Sequence, residues 1–180
     1  MIEIIPIRRN TLIYDQARTL LEDTWPDNYP GEDAKSEIDR LIDTGMLFGA
    51  VEETALLGFI GAVAEYGTTG YELHPLIVDV DHRRKGIGRM LVHYLENMVR
   101  KEGGIILYLG TDDETFSTSL SEGDLFENTF EKIRNIQNTG HHPYSFYEKL
   151  DFRIVGVLPD VNGFHKPDIF MAKRLVELPE

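Results

Sequence analysis

The 180-residue chain contains no cysteine. That removes disulfides, thiolate metal sites and any cysteine nucleophile, and it fits a reducing, cytoplasmic setting. No apolar run approaches the roughly 18 residues that a membrane span requires, and the opening stretch MIEIIPIRRN has no signal-peptide core, so no membrane partner is expected. Positive charge is scarce: 18 Lys and Arg stand against 31 Asp and Glu, a net charge of −13. A nucleic-acid ligand is held mainly through its phosphates and calls for a basic face, so this balance disfavours one. The same acidity suits plain solubility, and it would also draw in a polycation. The one paired-histidine feature, His141-His142 before Pro143, lacks the spacing of an HExxH-type site, and no metal is expected.

What is present is 42% apolar residues, enough for one α/β domain over residues 1–180, with no repeat or linker in view. The pattern predicts a strand over Ile2–Ile7, a helix over Thr11–Thr24 stopped by Pro26, and a helix over Glu32–Thr44 with Gly45 just past its end. Met46–Val51, Leu56–Tyr66 and Tyr71–Val80 read as antiparallel strands joined by polar and glycine turns. A helix from Gly88 to Glu102 buries Met90, Leu91, Tyr94, Leu95 and Met98, and Ile105–Leu109 is apolar enough for mid-sheet. Asp112–Asp124 reads as an acidic loop, Phe126–Gln137 and Tyr144–Leu150 as helices, and Phe152–Leu158 and Ile169–Leu175 as closing strands.

Strand, basic turn, Gly86-x-Gly88 and helix follow one another around Arg83-Arg84-Lys85-Gly86-Ile87-Gly88. A phosphate site at a helix N-terminus requires this order: glycines admit the oxygens to backbone amides, and the helix dipole favours negative charge. A lone G-x-G is as often only a tight turn. Two rival nucleotide motifs fail directly. The third glycine of G-x-G-x-x-G is replaced by Leu91, and no G-x-x-x-x-G-K-[ST] occurs.

Arg83-x-x-Gly86-x-Gly88 after an apolar strand resembles the acetyl-CoA motif of the GNAT superfamily. The resemblance implies an α/β fold with a mixed, mostly antiparallel sheet that splays between its fourth and fifth strands and is flanked by helices. It implies acetyl-CoA as the acetyl-donor cosubstrate. Its pantetheine arm would run along Leu76, Ile77 and Val78, and its pyrophosphate would sit at Arg83, Arg84, Gly86, Ile87, Gly88 and Arg89. Thr111, Tyr147 and Lys149 would complete the contacts. Longer blocks resemble one subfamily, the chromosomal type of aminoglycoside 6′-N-acetyltransferase. They are Tyr71–Leu76, Tyr108–Asp113, His142–Leu150, Ile154–Pro159 and Lys166–Ile169.

The residues also speak for themselves. Glu72, His74, Leu76 and Val78 share one face of a strand, because side chains alternate. An amine must lose its proton before it attacks, and a carboxylate or imidazole on that face could accept it, directly or through water. Glu72 could also be a solvated strand end, and His74 is equally readable as a structural hydrogen-bonding residue. Acyl transfer builds negative charge on the thioester oxygen, which a backbone N–H can stabilise. The resemblance gives that part to the amide of Leu76, and to the Tyr147 phenol the part of donor to the departing thiolate. Read alone, Tyr147 with Phe146 and Leu150 is as much a core stripe.

The subfamily resemblance implies a polycationic aminoglycoside substrate, acetylated at its 6′-amine by direct attack in a ternary complex. It also implies antibiotic resistance and a homodimer, with Ile169–Leu175 and the preceding strand near the interface. Asp112, Asp113, Asp168, Tyr66 and Glu72 are the expected substrate contacts, although each carboxylate could be solvated surface. Another cationic amine, such as a polyamine, basic peptide or protein lysine, would suit the same charge. A non-catalytic coenzyme A-binding module is the remaining alternative.

Overall fold

Residues 1–179 are described by a computed structural model of the chain. They form a mixed α/β fold that divides into two compact units, Met1–Leu107 with the segment from Leu175 onward, and Tyr108–Arg174.

In the first unit β1 (Ile2–Pro6), β2 (Gly45–Glu52), β3 (Ala55–Tyr66) and β4 (Gly70–Val78) pair antiparallel in that order. The helices are α1 (Leu12–Thr24), α2 (Glu32–Thr44) and α3 (Ile87–Lys101). α1 starts where the Thr11 hydroxyl accepts from the Tyr14 amide at 3.2 Å, an N-cap that satisfies one free donor of the first turn. β2 and β3 are buried along most of their length, which requires cover on both faces. On one face Leu47, Phe59 and Val63 join Tyr14, Ala17 and Leu21 of α1 and Ile38 and Leu41 of α2 in a single core. Phe48, next along β2 and so on the opposite face, meets Tyr94 of α3 edge-on with ring centroids 5.0 Å apart.

β4 departs from a regular ladder. Ile60 pairs with Leu76 and Ala62 with Leu73, so one residue of β3 spans two of β4, His74 and Pro75. Such a bulge interrupts the ladder and turns the strand locally. Half-buried and buried residues nevertheless alternate from Tyr71 to Val78, with Glu72, His74, Leu76 and Val78 on the less buried side, as their spacing predicts.

The second unit holds most of β5 (Ile106–Asp112), then α4 (Thr129–Arg134), α5 (Tyr144–Glu148), β6 (Arg153–Leu158) and β7 (Asp168–Arg174). β6 and β7 form an antiparallel pair. The helix expected over Phe126–Gln137 shrinks to α4 because both ends are taken by other partners. The Asp124 carboxylate accepts from the Phe126 amide at 2.9 Å, and Ser119 and Gln137 exchange bonds of 2.9 and 3.0 Å. β4 stops at Val78, two residues before the expected end, because the Asp79 side chain caps a 3₁₀ turn over Val80–His82. β5 continues three residues beyond Leu109, the expected end, to Asp112. Among the described residues no helix is long and apolar enough to cross a membrane.

Candidate active site

The first unit carries the loop and the strand. Asp79 Oδ1 accepts from the Asp81 amide at 3.1 Å and lies 2.8 Å from His82 Nδ1. The His82 hydrogen bond, ahead of the other contacts, holds the Asp79 carboxyl below the usual carboxylate range. This turn delivers Arg83, whose Nε donates to the carbonyl of Val78 at 3.0 Å, and then the exposed Arg84 and Lys85. Gly86 follows with φ of +87°, and a Cβ there would meet no atom within 4 Å.

Gly86 is the N-cap of α3 and supplies no side-chain hydrogen bond, and the first turn holds no acidic residue. The first intrahelical bond of the turn runs from the Met90 amide to the Gly86 carbonyl at 3.0 Å, leaving the amides of Ile87, Gly88 and Arg89 directed out of the helix end. Uncapped amides, a cationic rim and open space above a glycine fit a pyrophosphate. The Ile87 side chain is buried at 1% exposure, so its contribution there is the backbone alone. The same holds for Ile77, whose side chain belongs to the core.

His74 is more enclosed than a solvent-facing strand residue. Its Nε2 lies 3.1 Å from the Tyr29 hydroxyl and 3.5 Å from Glu37 Oε1. Glu37 is gripped by Arg40 through bonds of 2.8 and 2.7 Å. Burial pulls the His74 imidazole below its ordinary pKa, against the opposing pull of the Glu37 and Glu72 carboxylates. The ring is therefore neutral near pH 7. Tyr29, Glu37 and Arg40 carry no local signal in the sequence, because only the packing of α2 and the segment before it brings them to β4. Tyr66, at the far end of β3, is 70% exposed.

In the second unit Tyr147 is 8% exposed, on α5, with its ring edge-on to Phe146 and Phe152 at 5.1 and 5.7 Å. Among the described residues its hydroxyl has no hydrogen-bond partner, and burial pushes the phenol above its ordinary pKa. It stays protonated and able to donate. Lys149 caps α5 and is exposed, and Thr111 is half-buried on β5. Asp112 is exposed and its carboxylate accepts from the Asn162 side chain. Asp168 opens β7 with its carboxylate against Gly110, where a Cβ would lie 2.6 Å from Oδ2.

Asp113 corrects an expectation. It is fully buried, and its carboxylate accepts from the Ser117 amide at 2.7 Å and from the Thr118 amide, Thr118 hydroxyl and Ser121 hydroxyl at 2.8 Å each. A carboxylate with no exposed surface, held by four donors of its own loop, organises that loop and is not open to a substrate ammonium. The Ser and Thr residues that made the segment read as a loop are its donors. His142 is likewise internal: Nε2 donates to the Asp112 carbonyl at 3.1 Å and Nδ1 accepts from the Tyr144 amide at 3.2 Å. Among the described residues no cluster of His, Cys, Asp or Glu could hold a metal ion.

Residues 14–120 match the model of the acetyltransferase (GNAT) family. A crystal structure of an aminoglycoside 6′-N-acetyltransferase complexed with coenzyme A is 47% identical, covers 99% of each chain and superposes with a TM-score of 0.95. The aminoglycoside 6′-N-acetyltransferase from Enterococcus faecium is also 47% identical over 99% of each chain, with a TM-score of 0.93. A type Ii aminoglycoside 6′-acetyltransferase is 40% identical over 98% of this chain and 99% of its own, with a TM-score of 0.77. Comparison with curated protein sequences returns no match.

Proposed function

The chain belongs to the GNAT acetyltransferase family, and from that premise we propose that it transfers acetyl from acetyl-CoA to the 6′-amine of aminoglycosides by direct attack in a ternary complex. The observation that carries the substrate is the near-complete match, at 47% identity, to an aminoglycoside 6′-N-acetyltransferase holding coenzyme A. Acetyl-CoA supplies the activated acetyl group. The amides of Ile87, Gly88 and Arg89, with Arg83 and Arg84, take its pyrophosphate, and the backbone of Leu76, Ile77 and Val78 takes its pantetheine. Thr111 and Lys149 are assigned to the same ligand.

The Leu76 amide steadies the charge that develops on the thioester oxygen. Glu72 draws in the ammonium form of the substrate and, with His74 on the same face of β4, handles its proton. The Tyr147 hydroxyl, protonated and without a hydrogen-bond partner among the described residues, donates to the departing thiolate. Tyr66, Asp112 and Asp168 receive further ammonium groups of the substrate. Asp113 has no part in this.

Residues 1–180 act as one domain in this reading, supported by a family match over 14–120 that runs through the division at Leu107. The chain works in the cytoplasm as a homodimer and confers resistance. Val155 and Leu158 on β6, 65% and 48% exposed, support an interface beside β7. The test compares neomycin with paromomycin, which differ in carrying an amine or a hydroxyl at the 6′ position, in a coenzyme A release assay. Turnover of neomycin alone is expected. Equal turnover of both removes the 6′ assignment, activity on polyamines alone moves the acceptor, and no turnover on any amine leaves a binding module.

A further inference from the structure

His74 sits in a polar cage that the acetyl-transfer scheme does not yet use. The Glu37 side chain is 13% exposed and both its oxygens accept from Arg40, so it is a fixed group that presents acceptors to its neighbours. A carboxylate 3.5 Å from His74 Nε2 is attractive only when that nitrogen carries its hydrogen; a lone pair there would face another lone pair. The Tyr29 oxygen, 3.1 Å away, can pair with either tautomer, and with Nε2 protonated it accepts from the same N–H. With Nε2 as donor the free lone pair lies on Nδ1, which has no hydrogen-bond partner among the described residues.

We propose that Glu37 is a positioning residue for His74: with Tyr29 it fixes the Nε2–H tautomer, so that Nδ1 takes the proton of the substrate ammonium on the Glu72 face of β4. This rests on the reading of the chain as an amine acetyltransferase. In the step an N–H bond of the ammonium breaks and an Nδ1–H bond forms. The electron pair stays on the amine nitrogen, which is then free to attack. The imidazolium forms beside Glu37 and Glu72, which favour it against burial and Arg40, with Tyr29 neutral, and passes its proton to solvent.

The experiment observes His74 by ¹³C and ¹⁵N NMR in the free protein, assigned by loss of its signals in His74→Gln. Alongside it, the pH profile of neomycin acetylation is measured for the wild type, Glu37→Gln, Glu37→Asp and Tyr29→Phe. The wild type should show the Nε2–H tautomer. Glu37→Gln should mix the tautomers and cut kcat about tenfold or more, with the KM for acetyl-CoA unchanged. Its acid limb should move to lower pH, because removing the carboxylate destabilises the imidazolium and lowers its pKa. Glu37→Asp should restore part of both effects. If Glu37→Gln does not fold, Tyr29→Phe, which deletes one oxygen, tests the same tautomer. An Nδ1–H tautomer in the wild type overturns the proposal, as does an unchanged tautomer and pH profile in the variants. If neomycin is not a substrate, the substrate reading falls, and the tautomer spectra alone decide the role of Glu37.

Discussion

Replacing Asp113 by Asn changes one oxygen to an NH₂ group, inside a cage whose hydrogen bonds are known one by one. Oδ1 accepts from the Ser117 amide, while Oδ2 accepts from the Thr118 amide, the Thr118 hydroxyl and the Ser121 hydroxyl. The least damaging arrangement puts the new NH₂ at the Oδ1 position, so that one buried backbone N–H faces a donor. That costs about 1.5–3 kcal/mol for a lost bond to a charged group. The three remaining bonds keep an acceptor but lose its charge, which weakens each. The sum is a destabilisation of about 2–4 kcal/mol, read as a lower urea midpoint at pH 7. The loop's donors hold the folded carboxyl below its ordinary range against the upward push of burial. A depressed folded pKa means that the stabilisation is complete above about pH 5 and fades as pH falls through the folded value, from about 4 downward. The gap between wild type and variant should therefore close in acid. A gap under about 0.5 kcal/mol at pH 7, together with weakened aminoglycoside binding, would refute the loop-organiser reading and return Asp113 to the substrate site.

Three further outcomes follow from the site. Gly86→Glu and Gly86→Gln share the cost of a side chain at positive φ, so their ratio isolates charge: at 4 Å in water each phosphate charge repels the carboxylate by about 1 kcal/mol, and two weaken coenzyme A binding by about thirtyfold in calorimetry. Equal affinities would place the pyrophosphate elsewhere. Tyr147→Phe deletes a hydroxyl that has no hydrogen-bond partner among the described residues, so thermal stability and coenzyme A affinity should hold while single-turnover acetylation slows by about 10²-fold; unchanged chemistry makes Tyr147 a core residue. Glu72→Ala should lower turnover at neutral pH and lose less at high pH, where the amine is already free. A pH-independent loss would take Glu72 out of proton handling.

Local pattern made the loop and strand of the proposed cofactor site legible as structure. The Gly86-x-Gly88 turn depends on neighbours in sequence, and the half-buried face of β4 depends on a period of two that survives the bulge at His74 and Pro75. The helical stripe of α3 was readable for the same reason, with Leu91 and Leu95 fully buried, although Met90 remains 38% exposed. What escaped depends on where the chain returns. Asp113 reads as one more surface carboxylate until the segment to Ser121 folds back on it. The Tyr29 and Glu37 contacts to His74 cross 45 and 37 positions of chain, and no periodicity records them. α4 lost its ends to Asp124 and to the Ser119–Gln137 pairing, where tertiary bonds outweighed helical propensity.

The bare end of α3 has a consequence beyond catalysis. If coenzyme A completes the first amides of that helix as proposed, linkage makes the effect reciprocal: the free energy it gains there would reappear as resistance of the chain to unfolding. At a hundred times the dissociation constant this is worth about 2.7 kcal/mol, a shift of about a hundredfold in the unfolded fraction. Because proteases and chaperones act on that fraction, the amount of enzyme in a cell would follow its supply of coenzyme A thioesters as well as its gene. Starvation would then thin the enzyme pool before any change in transcription.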